Sequence, residues 1–323
     1  MKKMCETSID YLRISVTDRC NLRCIYCDPL QDCEFMPRKE ILTFEEIHRI
    51  VELFAQCGIT KIRLTGGEPL IRTNIVQLVR QLAPIRGIDE LTLTTNGVLL
   101  ESMAAELKAA GLKRVNVSLD TTSRGNYKQI TGFDLFEKVM KGIYKALEVG
   151  LKPVKMNSVI IQGVNVSQVP ALARMSVELP VAARFIEYCP TGRNTRPASS
   201  YVPNSEVRRI IEHKFGPLTS TLSARGNGPA MYFKIADSAG CIGFISGASG
   251  FFCRSCNRLR LTSDGNVRPC LYSAHSYDLK GLIRGGANDR QVLDLLKRII
   301  AEKKNFTKLN SFTEDFCMRS VGG

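Results

Sequence analysis

The sequence predicts an α/β protein built on a parallel sheet, and three observations carry that prediction. From about residue 10 to residue 190, short β-rich runs alternate with amphipathic helical stretches. Strand–helix–strand alternation folds as right-handed βαβ units, whose strands lie parallel. After Glu187 the rhythm changes: residues 190–203 are rich in Pro, Thr, Arg and Ser and read as a linker, and residues 217–272 are Gly-rich with short strands. A chain of 323 residues, 44% hydrophobic, can bury one large core and carry a smaller appendage. The division expected is therefore residues 1–190 and residues 191–323.

The elements follow in order. The strand candidates are Leu12–Val16, Lys61–Thr65, Glu90–Thr94, Arg114–Leu119, Val154–Ile160 and Ala183–Glu187. Between the first two lies a helix over Thr43–Cys57. There Phe44, Ile47, Val51 and Phe54 recur every three or four residues, and Thr43 and Glu46 form a capping box. Further helices are expected near Asn74–Leu82, Glu101–Ala109, Leu135–Val149 and Gln168–Val177, and another over Asn204–Phe215 with Asn204 or Ser205 as its cap. Six βα units form either a doubly wound sheet or a partial barrel, and periodicity alone leaves both open.

Lys and Arg outnumber Asp and Glu by 45 to 31, a formal charge of +14. Such a surplus attracts anions, whether nucleic acid, an acidic membrane face or a phosphorylated small molecule. The basic residues are scattered and lack interleaved aromatics, which argues against nucleic acid. No window approaches 18 uninterrupted apolar residues, so no membrane span is expected. Met1 to Asp10 show no basic segment followed by an apolar run, and a cytoplasmic protein is expected.

The 12 cysteines are more informative. In a cytoplasmic chain of this size they point to metal or redox chemistry rather than disulfides. Cys20, Cys24 and Cys27 form C-x3-C-x2-C directly after the first strand, where parallel α/β proteins place their chemistry. An iron–sulfur cluster of four irons ordinarily takes four cysteines, so three leave one iron open to a small ligand. The alternative is a zinc loop completed by Cys33, at an unusual spacing. One βα unit later, Lys61-Ile-Arg-Leu-Thr-Gly-Gly-Glu-Pro69 ends a strand in a Gly–Gly turn. Glycines admit close backbone approach, and Glu68 offers an acceptor for an ammonium group. Thr94 to Gly97 and Asn116 to Asp120 end the next two strands in polar residues, with capping of the following helix as the plainer role for Asn96 and Asp120.

Near the other end, Cys253, Cys256 and Cys270 form C-x2-C-x13-C. A zinc knuckle with His275 or Cys241 as fourth ligand fits that spacing. Strand alternation through residues 257–262 would put Arg258 and Arg260 on one face and Leu259 and Leu261 on the other. Two neighbouring guanidiniums make an anion clamp. The six isolated cysteines, Cys5, Cys33, Cys57, Cys189, Cys241 and Cys317, read as small core residues.

The first cysteine motif, with an aromatic residue before its last member, resembles the signature of the radical S-adenosylmethionine superfamily. Both motifs together, with Leu12 to Cys20, Arg63 to Pro69, Arg184 to Glu187, Phe252 to Arg260 and the terminal Gly322-Gly323, resemble the GTP 3′,8-cyclase family of molybdenum cofactor biosynthesis. The resemblance covers nearly the whole chain. It implies a partial (βα)6 TIM-like barrel with a small C-terminal cluster-binding domain. Cys20, Cys24 and Cys27 would hold one 4Fe–4S cluster, and Cys253, Cys256 and Cys270 a second. Tyr26, Gly67, Ser118 and Cys189 would contact S-adenosylmethionine; at Cys189 the family commonly has methionine. Arg13, Lys61, Arg63, Thr94, Lys155, Arg184, Arg258 and Arg260 would contact GTP. Arg258 and Arg260, with Gly322 and Gly323 of the tail, would act at the reacting centre.

The implied reaction removes the 3′ hydrogen of GTP and joins C3′ to C8, giving 3′,8-cyclo-7,8-dihydro-GTP. It implies an external electron donor, a cyclic pyranopterin monophosphate synthase downstream, no nucleic-acid or membrane partner, and a monomer or homodimer. A peptide-modifying enzyme of the same superfamily is disfavoured by the arginine pair and the paired glycine terminus. A zinc-stabilised nucleic-acid-binding protein is the rival from another class.

Overall fold

Six strands follow one another both along the chain and across the sheet: β1 (Tyr11–Ser15), β2 (Lys61–Thr65), β3 (Glu90–Thr95), β4 (Arg114–Ser118), β5 (Val154–Ile160) and β6 (Val181–Glu187). The computed structural model describes residues 8–27, 34–189, 197–222, 228–249, 256–271, 273, 275–304 and 318. All five neighbouring pairs are parallel. A doubly wound sheet reverses strand order at a switch point, whereas a barrel winds in one direction. The order β1 to β6 is the barrel order.

Later strands extend both flanks of this sheet. They are β7 (Thr219–Ser220), β8 (Met231–Lys234), β9 (Cys241–Ile245), β10 (Arg258–Leu261), β11 (Asn266–Arg268) and β12 (Tyr277–Asp278). β9 joins β6 and β10 joins β1, both parallel. β8 and β7 continue antiparallel beyond β9, and β11 and β12 antiparallel beyond β10. The sheet begins at β12 and ends at β7, so the barrel is open between β9 and β10. The boundary expected at residues 190/191 falls in residues 190–196, outside the described residues.

The connecting helices are α1 (Phe44–Gln56), α2 (Ile75–Leu82), α3 (Leu100–Ala109), α4 (Arg124–Thr131), α5 (Phe136–Glu148), α6 (Val169–Glu178) and α7 (Asn204–Phe215), followed by α8 (Leu279–Arg284) and α9 (Asp289–Lys304). Thr43 and Glu46 form the expected capping box of α1. Neither Asn204 nor Ser205 caps α7. That helix follows Pro203, and the Asn204 amide instead donates to Ser246 Oγ at 3.0 Å.

Strand alternation sorts the side chains into two sets. Leu12, Ile14, Ile62, Leu64, Leu93, Val115 and Val117 are fully buried in the core shared with the helices. Each contributes about 1.5–3 kcal/mol by leaving water. The residues between them point inward, and they are polar or charged. A barrel filled with apolar layers is a packed core; charged inward rows leave this one hollow. On the outside, α8 and α9 dock against α1 and the turn before it through the Arg49–Asp289, Arg284–Glu46 and Lys280–Glu40 ion pairs.

Candidate active site

The hollow is a cavity of about 430 Å³ lined by strands β1 to β6 and β8 to β10. Register places its cations in rows. Arg258 of β10 pairs with Tyr11, which pairs with Lys61. One step up, Arg260 pairs with Arg13, Arg13 with Arg63, Arg63 with Thr92, and Thr92 with Arg114. Above these, Thr94 pairs with Asn116 and Asn116 with Lys155; Ser118 pairs with Asn157, and Asn157 with Arg184. Leu259 and Leu261 are fully buried on the opposite face, as alternation through this strand predicts.

Among the described residues, two carboxylates answer these cations. Asp10 accepts from Lys61 Nζ at 2.9 Å, and Glu90 accepts from Arg114 Nε at 2.5 Å. Burial and the crowding of like charges lower Arg13 well below the ordinary guanidinium range. Burial, with neighbouring guanidiniums, brings Arg63 and Arg260 down to about 10. Lys155 falls to about 6, first through burial and then through Arg114, Arg184 and Arg63. Nε of Arg184 and Nη1 of Arg114 are buried donors lacking a hydrogen bond among the described residues. A polyanion entering this cavity relieves the repulsion and satisfies those donors. The cavity therefore fits a phosphorylated ligand.

Cys20, Cys24 and Cys27 line the end of the cavity where the parallel strands finish. Burial raises Cys24 well above the ordinary thiol range, and Cys27, Asp120 and Cys20 add to the effect. Burial also raises Cys20. Thiols so placed ionise readily only beside a cation, the help that a bound metal provides. The donor set thus fits a thiolate-held cluster. Among the described residues no three Cys, His, Asp or Glu side chains converge as the ligands of a single ion would.

The loop carrying these cysteines is fastened from two sides. Arg23 and Ile25 donate their amides to Thr131 and Ile130 at the end of α4, at 2.9 and 3.0 Å. The Gly66–Gly67–Glu68 turn backs the loop, with Gly67 N donating to the Thr17 carbonyl and Glu68 N to the Arg19 carbonyl, at 2.7 and 2.8 Å. Glu68 is buried and accepts from Leu70 N, the Thr95 hydroxyl and Asn96 N. Burial nevertheless raises it to about 7. Its oxygens hold the turn to β3, a role the sequence did not suggest.

Asn96 and Asp120 also differ from the capping role. The Asn96 amide donates to Asn21 Oδ1 at 2.7 Å and faces Cys20 Sγ at 3.9 Å, so it links β3 to the cysteine loop. Asp120 accepts from the Tyr26 hydroxyl at 2.6 Å and from Val159 N at 2.7 Å. Tyr26, Gly67, Ser118 and Cys189 all border the cavity at this end.

Cys256 and Cys270 line the same cavity at its other end. Cys256 precedes β10, and Cys270 follows β11, which runs antiparallel to β10. Both therefore stand where the barrel strands begin. Burial alone would raise Cys256, but Arg258 and Lys303 outweigh it and hold the thiol at about 7. Cys253, Gly322 and Gly323 lie outside the described residues, although Met318 of the tail does border the cavity. Cys241, a candidate fourth ligand, is on β9 at the far flank and packs with Ala182 and Tyr232.

The structure brings together Arg13, Lys61, Arg63, Thr94, Lys155, Arg184, Arg258 and Arg260, every substrate candidate expected from the sequence. It adds Arg114 and Tyr232. Arg114 was within reach of the alternation that picked out Arg258 and Arg260, since it shares the row of Arg63. Tyr232 comes from a four-residue strand whose place next to β9 has no local sequence signal.

Comparison with known proteins agrees with this geometry. Residues 14–175 match the family model described as the Radical SAM superfamily, and residues 181–309 match Molybdenum Cofactor Synthesis C. The chain is 46% identical over 325 aligned residues to a GTP 3′,8-cyclase of Pelotomaculum thermopropionicum, covering 100% of both chains. It is 43% identical to a GTP 3′,8-cyclase of Moorella thermoacetica, again covering 100% of both. Among solved structures, Streptococcus suis SuiB bound to S-adenosylmethionine superposes with a TM-score of 0.66 at 16% identity, over 98% of this chain and 73% of that one. At that identity the likeness is one of fold.

Proposed function

The chain belongs to the GTP 3′,8-cyclase family of the radical S-adenosylmethionine superfamily, and from that membership we propose how its residues divide the work. The enzyme is a lyase that converts GTP to 3′,8-cyclo-7,8-dihydro-GTP, the first step of molybdenum cofactor biosynthesis. Its cofactors are two 4Fe–4S clusters and S-adenosylmethionine. The observation that supports the residue assignment is the cavity itself, which has cysteines of both motifs at its two ends and a cationic wall between them.

Cys20, Cys24 and Cys27 would hold one cluster, with Tyr26, Gly67, Ser118 and Cys189 as the residues for S-adenosylmethionine. Cys253, Cys256 and Cys270 would hold the second cluster. The chemistry supplied by the bound cofactors is radical removal of the 3′ hydrogen of GTP, after which C3′ bonds to C8.

The protein's own part is placement. Arg13, Lys61, Arg63, Lys155 and Arg184 receive the triphosphate, and Thr94 orients the nucleotide. Arg258 and Arg260, two and four residues beyond Cys256, hold the nucleotide at that end of the cavity. Guanidiniums suit this task because their planar forks meet phosphate and carbonyl oxygens two at a time and stay charged when buried. Fixing the reacting atoms in a dry cavity replaces much of the entropy cost of meeting. The Gly322–Gly323 tail completes the reacting centre. The enzyme works in the cytoplasm as a monomer or homodimer, draws on an external electron donor, and passes its product to a cyclic pyranopterin monophosphate synthase.

The test is anaerobic reconstitution followed by iron and sulfide analysis, then dithionite, S-adenosylmethionine and GTP. About eight irons per chain, with 5′-deoxyadenosine and a cyclised nucleotide, support the reading. Cofactor cleavage with GTP left intact refutes the substrate assignment.

A further inference from the structure

Tyr232 lies where three strands meet on the cavity wall. On β8 it pairs with Gly243 of β9, and Gly243 pairs on its other side with Arg184 of β6. A Cβ at Gly243 would stand 2.8 Å from Cγ of Arg184 and 3.0 Å from Cε1 of Tyr232. The glycine thus opens a trough in which the Arg184 stem and the Tyr232 ring come together. Across that trough the ring reaches β5: Lys155 Nζ donates to the Tyr232 hydroxyl at 3.1 Å and sits 5.1 Å from the ring centre. Tyr232 is only 6% exposed, and a buried phenol at such depth normally answers to a polar partner.

The type of partner matters. Glu90 neutralises Arg114, and Asp10 neutralises Lys61. A phenol brings no negative charge: it holds the lysine nitrogen through one hydrogen bond and its ring face and leaves that nitrogen able to meet an anion. We infer that Tyr232 is a positioning residue for substrate binding: it holds the Lys155 side chain in place on the cavity wall, where a phosphate oxygen of the substrate meets it. This rests on the reading of Lys155 as a substrate-binding residue. A lysine held in advance gives up less side-chain freedom when the substrate arrives. Gly243 belongs to the same device, since any larger residue there would push the ring and the Arg184 stem apart.

The test is a double-mutant cycle on the full-length enzyme, reconstituted anaerobically with both clusters and assayed with GTP. Tyr232→Phe keeps the ring and removes the hydroxyl; it is expected to raise the KM for GTP about tenfold, the effect of a hydrogen bond to a charged group. At saturating GTP, kcat should fall by less than about threefold, the split expected of lost ground-state binding. In a Lys155→Met background, Tyr232→Phe should add less than about twofold, because the residue acts through the lysine. Gly243→Ala should copy the rise in KM while the cluster absorbance stays intact. An unchanged KM in Tyr232→Phe overturns the inference, as does a full tenfold loss that persists beside Lys155→Met. A Lys155→Met enzyme with the parental KM removes the substrate reading of Lys155 itself, a separate and recognisable failure.

Discussion

Gly67 and Arg19 are in backbone contact: a Cβ at Gly67 would stand 2.2 Å from the Arg19 carbonyl oxygen. Arg19 immediately precedes Cys20, so the Gly–Gly turn acts as a mould for the cysteine loop. Gly67→Ala must displace that loop, because backbone cannot yield as a flexible side chain can. The expected result is loss of the upper cluster, with reconstituted iron falling from about eight to about four per chain. S-adenosylmethionine cleavage should fall with it, while the circular dichroism of the barrel stays native. Full iron loading in Gly67→Ala would contradict the account of the turn.

Arg258 and Arg260 line the cavity at the end where Cys256 and Cys270 stand, and Arg260 is flanked by Arg13. Replacing either by Ala should weaken GTP binding by about tenfold to a hundredfold, the range for losing hydrogen bonds to a charged group. Uncoupled S-adenosylmethionine cleavage, which depends on the other end of the cavity, should survive. Equilibrium dialysis and 5′-deoxyadenosine assays read the two effects apart.

Lys155 gives a pH signature. Burial, with Arg114, Arg184 and Arg63 facing it and Glu90 opposing, brings it to about 6, against 10.5 for an ordinary lysine. Between those values the empty site holds Lys155 mostly neutral, and a bound polyanion restores its proton. Binding therefore takes up a proton, and affinity must weaken as pH rises through this window. At pH 8, calorimetry in buffers of different ionisation enthalpy should show uptake of about one proton per GTP bound. Uptake should vanish in Lys155→Met. The same shift has a folding consequence of opposite sign: the unfolded lysine binds the proton more tightly, so this group's stabilisation is fullest above pH 10.5 and is lost as pH falls toward 6.

Glu187 ends β6 by accepting from Asn204 N, Ala248 N, Ser249 N and the Ser249 hydroxyl. It ties the barrel to α7 and to the segment that follows β9. Glu187→Ala strands the buried Asn204 N and removes the acceptor of the more exposed Ala248 and Ser249 donors, and should cost about 1–3 kcal/mol in denaturant unfolding. Glu187→Gln, which keeps one acceptor oxygen, should recover part of that loss.

Much of this was legible in the chain. The Lys61–Thr65 and Val154–Ile160 strands and the Asn204–Phe215 helix match β2, β5 and α7 residue for residue, because apolar alternation or helical spacing ends there in turn-forming residues. α4 gave no comparable signal: its eight residues bury mainly Tyr127 and Ile130, too few to mark a face. α8 and α9 were missed for another reason, since they cover α1 from outside and carry a mostly charged surface. The choice between barrel and doubly wound sheet lies in strand order, which local periodicity does not encode. In the site, the cysteines and arginines stood out by spacing and alternation. Arg114 followed the same alternation unnoticed because no cysteine lies next to it. Asp120 reads locally as a cap, and only the folded loop brings Tyr26 to it.

The central claim is that a nucleotide spans the cavity between the two cysteine groups with its ribose C3′ facing the upper end. The most direct measurement supplies GTP carrying deuterium at C3′ to the anaerobic, reduced enzyme with S-adenosylmethionine. Mass spectrometry then follows the label. Deuterium recovered in 5′-deoxyadenosine, together with a cyclised nucleotide, is the predicted result. Unlabelled 5′-deoxyadenosine formed while all the deuterium stays in GTP would contradict it.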